Sequence, residues 1–413
     1  MKQKSAVVVG GCGFIGTHCV KRLLLEGYRV LCIDNLSRPT AQANLNWMRH
    51  CHLWPAEHFI FALADVRHSQ EMETVVREHI KQHGKPEIVM HLAAQVAVTL
   101  SVTAPRHDFE VNVLGTFNVL ELVRSLCPEA AVIFSSTNKV YGCLKNLEVR
   151  ELKKRYEFKN LPDGVSSRQP LDFCSPYGCS KGAADQYVRD YARIYGLRTL
   201  VFRQSCIYGT RQFGQEDQGW VSWFVIASLL NRKTTIYGTG KQLRDLLWID
   251  DLLDAYWSAW RSGISGEIFN IGGGPKNTLS LLELLDMLKG LAPELLSSSA
   301  WEWGRERPGD QPVYVSDISE LRKRLNWAPI VSPRKGVETL WAWANNNREE
   351  IERLLPATSV VGRRVQKVPS SDCLDLRKQC SRFAQIVATL GPMGIPGSEE
   401  AGTVRCANGG PAQ

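Results

Sequence analysis

The chain has 413 residues, 44% of them hydrophobic and 22% charged, with a formal net charge of +8. That length is too great for one small core and predicts two domains with an appendage, in an ordinary soluble globular protein. The positive residues are interleaved with acids and form no basic run, which argues against nucleic acid as a partner, and no apolar stretch approaches a membrane span.

In chain order, Ala6 to Val9 is a short β-branched run, read as a buried strand, and Phe14 to Glu26 carries helical periodicity. Arg29 to Ile33 reads as a second strand ending at Asp34, and Phe59 to Ala64 as a third ending at Asp65. Glu71 to His83 reads as helix, Ile88 to Leu92 as strand, Asp108 to Leu126 as helix and Ala131 to Ser135 as strand. Lys145 to Phe173 is polar and irregular and reads as an inserted loop. Pro176 then opens a long helix to about Tyr195, followed by a strand from Thr199 to Arg203. Strands alternating with helices predict an α/β Rossmann fold, a doubly wound parallel sheet whose strand ends share one rim. The looser alternation up to about Asn346 predicts a smaller mixed α/β lobe over that rim. The expected division is a dinucleotide-binding domain over 1–205, a substrate lobe over 206–347 and a tail over 348–413. Breakers such as Gly391 to Gly397 mark that tail as largely disordered, although Arg348 to Arg353 can extend a helix.

Twelve cysteines suggest a disulfide framework, but Cys12, Cys19 and Cys32 fall inside apolar elements and there is no CxxC pair. Reduced thiols in the cytoplasm are expected, and no metal-ligand spacing is present. The apolar run after Lys4 is too short for a signal peptide, and the glycines that follow it have a better use.

That use is cofactor binding. Gly10-Gly11-Cys12-Gly13-Phe14-Ile15-Gly16 satisfies both GxGxxG and GxxGxxG between a strand and an amphipathic helix. Glycines there let the backbone turn tightly against a pyrophosphate, whose charge sits at the helix N-terminus. Asp34, at the end of the second strand, suits the adenosine ribose hydroxyls and repels a 2′-phosphate, which points to NAD over NADP. Asp65 fits either the adenine amino group or a helix N-cap.

Catalytic chemistry is concentrated in two places. Tyr177 and Lys181 stand one helical turn apart, and Ser135-Ser136-Thr137 ends a strand. A phenol beside an ammonium is a base suited to an alcohol proton, and a strand-end hydroxyl can hold that alcohol still.

These motifs resemble those of the extended short-chain dehydrogenase/reductases, in the NAD-dependent nucleotide-sugar epimerase/dehydratase branch, over roughly residues 5–345. Longer blocks narrow the resemblance to the branch's 2-epimerases of CDP-linked sugars. They are Asp34 to Arg38, Asn44 to Trp47, Ser135 to Gly142, Ser175 to Tyr187, Asp190 to Ile194, Arg211 to Phe213 and Asp217 to Val221. The resemblance implies Thr137, Tyr177 and Lys181 as the catalytic set. For NAD it implies Gly10, Gly13, Phe14, Ile15, Gly16, Asp34, Asn35, Asp65, Val66, Leu92, Ala93, Ala94, Gln95 and Asn112, with Tyr177 and Lys181. For the sugar nucleotide it implies Asn138, Lys139, Gln204, Ser205, Arg211, Gln212, Arg244, Arg307 and Asp310, with Arg244 and Arg307 gripping phosphate oxygens. The dehydratases of the branch carry acids after the threonine; here Asn138 and Lys139 stand there, which disfavours elimination. Trp220, Trp223 and Phe224 read as core. A homo-oligomer is expected by analogy, through the helices near Asp108 and Tyr177. The rival readings are a 4-epimerase or 4,6-dehydratase on another nucleotide sugar, and a non-catalytic NAD-binding sensor.

Overall fold

Strand β1 (Ser5–Val9) is buried along its whole length, and its side chains alternate between two apolar clusters, Ala6 and Val8 in one, Val7 and Val9 in the other. A strand covered on both faces belongs at the centre of a parallel sheet. In the computed structural model, which describes residues 4–293, 301–307 and 309–356, it lies there. On one side it pairs with β2 (Arg29–Asp34), which pairs with β3 (Phe59–Leu63). On the other it pairs with β4 (Ile88–His91), then β5 (Ala131–Thr137), then strand Arg198–Gln204 and finally strand Glu267–Ile271. All seven are parallel. Chain order reverses between β1 and β4, and in such sheets the crevice beyond those strand ends is where ligands bind. Here Leu92 and Ala93 both donate backbone N–H groups to Val9 O, so the two segments leave the sheet side by side.

The structure departs from the sequence expectation in several places. The helix expected from Asp108 starts earlier, at Pro105, and continues to Leu126 through a π-helical turn at Glu110–Leu114. A helix at Pro39–His50 had no counterpart in the reading, because its buried face offers only four apolar residues, Ala41, Ala43, Leu45 and Met48, together with Asn44. The polar segment 145–173 is not purely loop: Val149–Glu151 and Tyr156–Phe158 form a hairpin. Tyr156 N bonds Lys241 O, and Arg155 pairs with Glu283 at 2.6 Å. Strand Glu267–Ile271 lies beyond residue 205 yet completes the main sheet.

The long helix Pro176–Tyr195 has clear local causes. Ser175 Oγ accepts from Gly178 N at 3.1 Å, Pro176 fills the first turn, and Gly196 closes the end at φ +70° with its N–H on Ala192 O. Above the strand ends, Leu243–Trp248 pairs with Cys206–Tyr208, Thr278–Ser280 and Val313–Tyr314. A helix at Arg348–Leu354 follows the lobe, and the tail beyond residue 356, with its breakers, lies outside the described residues. Among the described residues no helix is long and apolar enough to cross a membrane.

Candidate active site

The crevice at the reversal point opens into a cavity of about 530 Å³. Its floor is the glycine turn. A Cβ on Gly10, at φ +82°, would sit 2.4 Å from Ala93 N, and one on Gly16 would sit 2.1 Å from Gly10 O. Gly13 meets only Gly10 O, at 3.3 Å, and borders the cavity. The helix that follows, Phe14–Leu25, has Gly13 as its N-cap and no side-chain cap, which leaves its first N–H groups directed at the cavity for an anion.

Asp34 stands at the end of β2 in the cavity wall, where its carboxylate accepts from Cys12 N at 3.0 Å and Leu36 N at 2.9 Å. Burial raises its pKa, against the opposing pull of those two N–H groups and of Arg38. Phe14, Ile15, Asn35, Val66, Leu92, Ala93, Ala94 and Gln95 share the same wall. A bare helix terminus, three close-packed glycines and a carboxylate at the second strand end form a cradle that fits NAD.

Two of the expected cofactor residues are elsewhere. Asp65 lies outside the cavity lining: Arg67 grips its carboxylate at 2.9 and 2.8 Å, and Asn35 donates at 2.9 Å. Nor does it cap a helix, because His68 is the N-cap of the helix that starts at Ser69. Asn112, on the π turn, is also outside the lining and acts from behind. It exchanges hydrogen bonds with the Gln95 backbone, each 3.0 Å, and donates to Asp108 and Ser180.

At the far end of the cavity, Thr137, Tyr177 and Lys181 meet. The Thr137 hydroxyl bonds the Tyr177 phenol. Lys181 Nζ donates to Ser135 O at 2.6 Å and lies 4.2 Å from the centre of the Phe134 ring. Burial pulls the Lys181 ammonium down to about 7, against Asp185 and Asp108. Burial also pushes the Tyr177 phenol up to about 12, although the Thr137 hydrogen bond and the Arg38 charge work the other way. The cation acting on the Tyr177 phenol is Arg38. Its guanidinium lies in the cavity wall and donates to Gln218.

Buried groups that the motifs did not reveal hold this set. Asp185 accepts from Ser136 Oγ at 2.8 Å and from Arg203 at 2.8 and 2.9 Å, tying the helix Pro176–Tyr195 to two strands. Asp108 accepts from Ser180 Oγ and, at 2.8 Å, from Gln95 Nε2. A carboxylate aligned with the buried face of the helix, as Asp185 is four residues after Lys181, was the available signal.

On the substrate side, Gln204, Ser205 and Gln212 line the cavity. Trp220 lines it too, with Nε1 3.3 Å from Cys206 Sγ, whereas Phe224 is core, so only part of that aromatic group is. Asn138 is buried behind Thr137. Lys139, Arg244 and Asp310 also lie outside the lining and form a cluster next to Cys206, which is part of it: Asp310 lies 2.6 Å from Arg244 and 3.6 Å from Lys139. Burial pushes the Asp310 carboxyl up, but Arg244 and Lys139 together outweigh it and hold it low. Arg307 packs 4.1 Å from the Tyr237 ring centre and donates to Glu216 O at 2.9 Å, outside the lining. Arg211 is turned away altogether. Its guanidinium donates to Asn44 Oδ1, Glu350 and Ala43 O, joining the helices at 39–50 and 348–354, so a substrate role is replaced by a structural one.

A dinucleotide cradle that leads to a buried tyrosine, threonine and lysine defines an enzyme that oxidises and reduces an alcohol with a nicotinamide. Residues 6–272 match the NAD dependent epimerase/dehydratase family, and the chain belongs to it. It is therefore an NAD-dependent enzyme of the nucleotide-sugar epimerase/dehydratase type. It is 41% identical to the CDP-paratose 2-epimerase of Salmonella typhi, over 82% of this chain and 99% of that protein. Among solved structures, a UDP-glucose 4-epimerase from Thermotoga maritima, with UDP-glucose, is 27% identical at a TM-score of 0.68, covering 83% of this chain and 99% of that one. A dTDP-glucose 4,6-dehydratase from Streptomyces venezuelae, with NAD bound, is 26% identical at 0.69, covering 85% and 99%.

Proposed function

We propose that this enzyme is a CDP-paratose/CDP-tyvelose 2-epimerase, inverting C2 of a CDP-linked 3,6-dideoxyhexose. The observation that carries the reading is the wall of the cavity. Among the described residues that line it, Asp34 is the one carboxylate, and it stands at the end of β2 beside the glycine turn. Elimination of water needs a base for the C5 proton and an acid for the leaving hydroxyl, and the turn after Thr137 offers Asn138 and Lys139 instead. Epimerisation needs neither. The likeness to the Salmonella typhi protein supports C2 as the carbon and cytidine as the base.

NAD, when bound, supplies the acceptor and donor of hydride. Thr137 holds the C2 hydroxyl and Tyr177 takes its proton as the C2–H electron pair departs. Lys181 keeps the catalytic helix fixed to β5 through Ser135 O. The 2-keto sugar then presents its other face, and Tyr177 returns the proton as hydride comes back. Net redox is zero. The residues proposed for these roles are Thr137, Tyr177 and Lys181. Gln204, Ser205, Gln212, Lys139, Arg244 and Asp310 are proposed to face the sugar nucleotide. We propose a cytoplasmic location, which the nine described cysteines, all of them free thiols, support.

The test uses substrate deuterated at C2 and product NMR against a panel of CDP-, UDP- and dTDP-sugars. Retention of deuterium at an inverted C2 on the CDP substrate is expected. Washout of the label to solvent would rule out return of the same hydride, and inversion at C4 would favour the 4-epimerase reading.

A further inference from the structure

Lys139 belongs to the turn Asn138–Tyr141 that directly follows Thr137, and its backbone N–H donates to Thr137 Oγ1 at 3.2 Å. The catalytic hydroxyl and the Lys139 backbone are thus one rigid unit. The side chain runs towards Asp310 and neighbours Arg244 and Cys206, and Cys206 is part of the cavity wall beside Ser205. Two cations share one carboxylate here. Arg244 holds it at 2.6 Å and Lys139 stands off at 3.6 Å, so the cluster is net positive and Lys139 is its loosely tied member. A positive cluster behind the Cys206 wall of a nucleotide-sugar site is suited to phosphate oxygens.

The position of that loose cation bears on which carbon is oxidised. C2 of a pyranose is bonded to C1, the carbon that carries the diphosphate, while C4 lies across the ring. Seating C2 at Tyr177 and Thr137 brings the β-phosphate close to the threonine. Seating C4 there sends the diphosphate a ring's width away. A cation two residues from Thr137 serves the first pose and not the second, and a carboxylate in its place would repel the phosphate.

We propose that Lys139 determines the oxidised carbon: its ammonium takes the β-phosphate, with Arg244, and thereby seats the sugar with C2 against Tyr177 and Thr137. This rests on the C2-epimerase reading above and adds the residue that selects C2.

The experiment compares the NAD-bound wild type with Lys139→Met and Lys139→Arg by calorimetric titration with CDP and with CMP. Loss of one charge-assisted contact predicts about ten- to a hundredfold weaker CDP binding in Lys139→Met, unchanged CMP binding, and recovery in Lys139→Arg. Equal losses for CDP and CMP, or no loss for either, would overturn the proposal. Asp310 keeps Arg244 in every variant, and retained NAD with an unchanged circular dichroism spectrum reports the fold. Parallel titrations with UDP and UMP separate the two readings. A wild type that prefers uridine sinks the cytidine assignment, while the diphosphate-to-monophosphate contrast is still read in that series. Wild-type turnover of substrate deuterated at C2 or at C4 tests the C2 reading on its own. With both labels, a shift of hydride transfer from C2 towards C4 in Lys139→Met is expected, and unchanged C2 selectivity counts against the proposal.

Discussion

Tyr177 is held in a setting that opposes its own ionisation: burial drives the phenol up to about 12, and only the Thr137 hydroxyl and the Arg38 charge resist. The positive charge of an oxidised nicotinamide held in this cavity would work in the same direction as Arg38 and favour the phenolate. Tyr177→Phe is expected to lower kcat about 10²- to 10⁴-fold with little change in KM, while NAD still co-purifies; steady-state kinetics and cofactor extraction check this. Lys181 allows a second test. Its pKa in the fold is about 7 against an ordinary 10.5, so the unfolded chain binds more protons across that window. Stability of the NAD-free protein should therefore rise with pH between those values, and Lys181→Met should flatten the rise in urea titrations taken at several pH values. The residues of both tests were legible because motif spacing carries them. Arg38 as the cation facing Tyr177 was not, since the two are far apart in sequence and meet only across the cavity.

At the level of elements, the helix Pro176–Tyr195 is anchored by a buried ion pair. Asp185 is fully buried and grips Arg203, itself 3% exposed, while accepting from Ser136 at the end of β5. Removing one partner strands the other charge in the interior, so Asp185→Ala should cost about 3–5 kcal/mol in chemical denaturation. Strands and their ends were readable because β-branched runs ending in glycine or aspartate repeat through the first half of the chain. The hairpin within 145–173 was not, since its strands are three residues long and half polar. The π turn at Glu110–Leu114 was invisible to periodicity for a different reason: one extra residue per turn barely alters an apolar pattern. Yet that turn carries Asn112, which fixes the Gln95 segment of the cavity wall.

For the whole molecule, helices Pro105–Leu126 and Pro176–Tyr195 leave Phe109, Phe117, Tyr187, Ile194 and Tyr195 exposed, with Phe117 and Tyr187 in edge contact at 6.1 Å. Exposed apolar side chains on two neighbouring helices would suit the expected homo-oligomer, were a second copy to pack through the same two helices. Phe117→Glu combined with Tyr187→Glu should halve the sedimenting mass in analytical ultracentrifugation. The pairing of Glu267–Ile271 with Arg198–Gln204 has a consequence of another kind. The last strand of the nucleotide sheet is delivered only after the chain has left that sheet and begun the lobe above it. Excising residues 1–205 as a module would leave Arg198–Gln204 as a bare, apolar edge open to intermolecular pairing. The two halves thus share one topological lock, and shuffling either lobe onto another enzyme would have to carry this borrowed strand along with it.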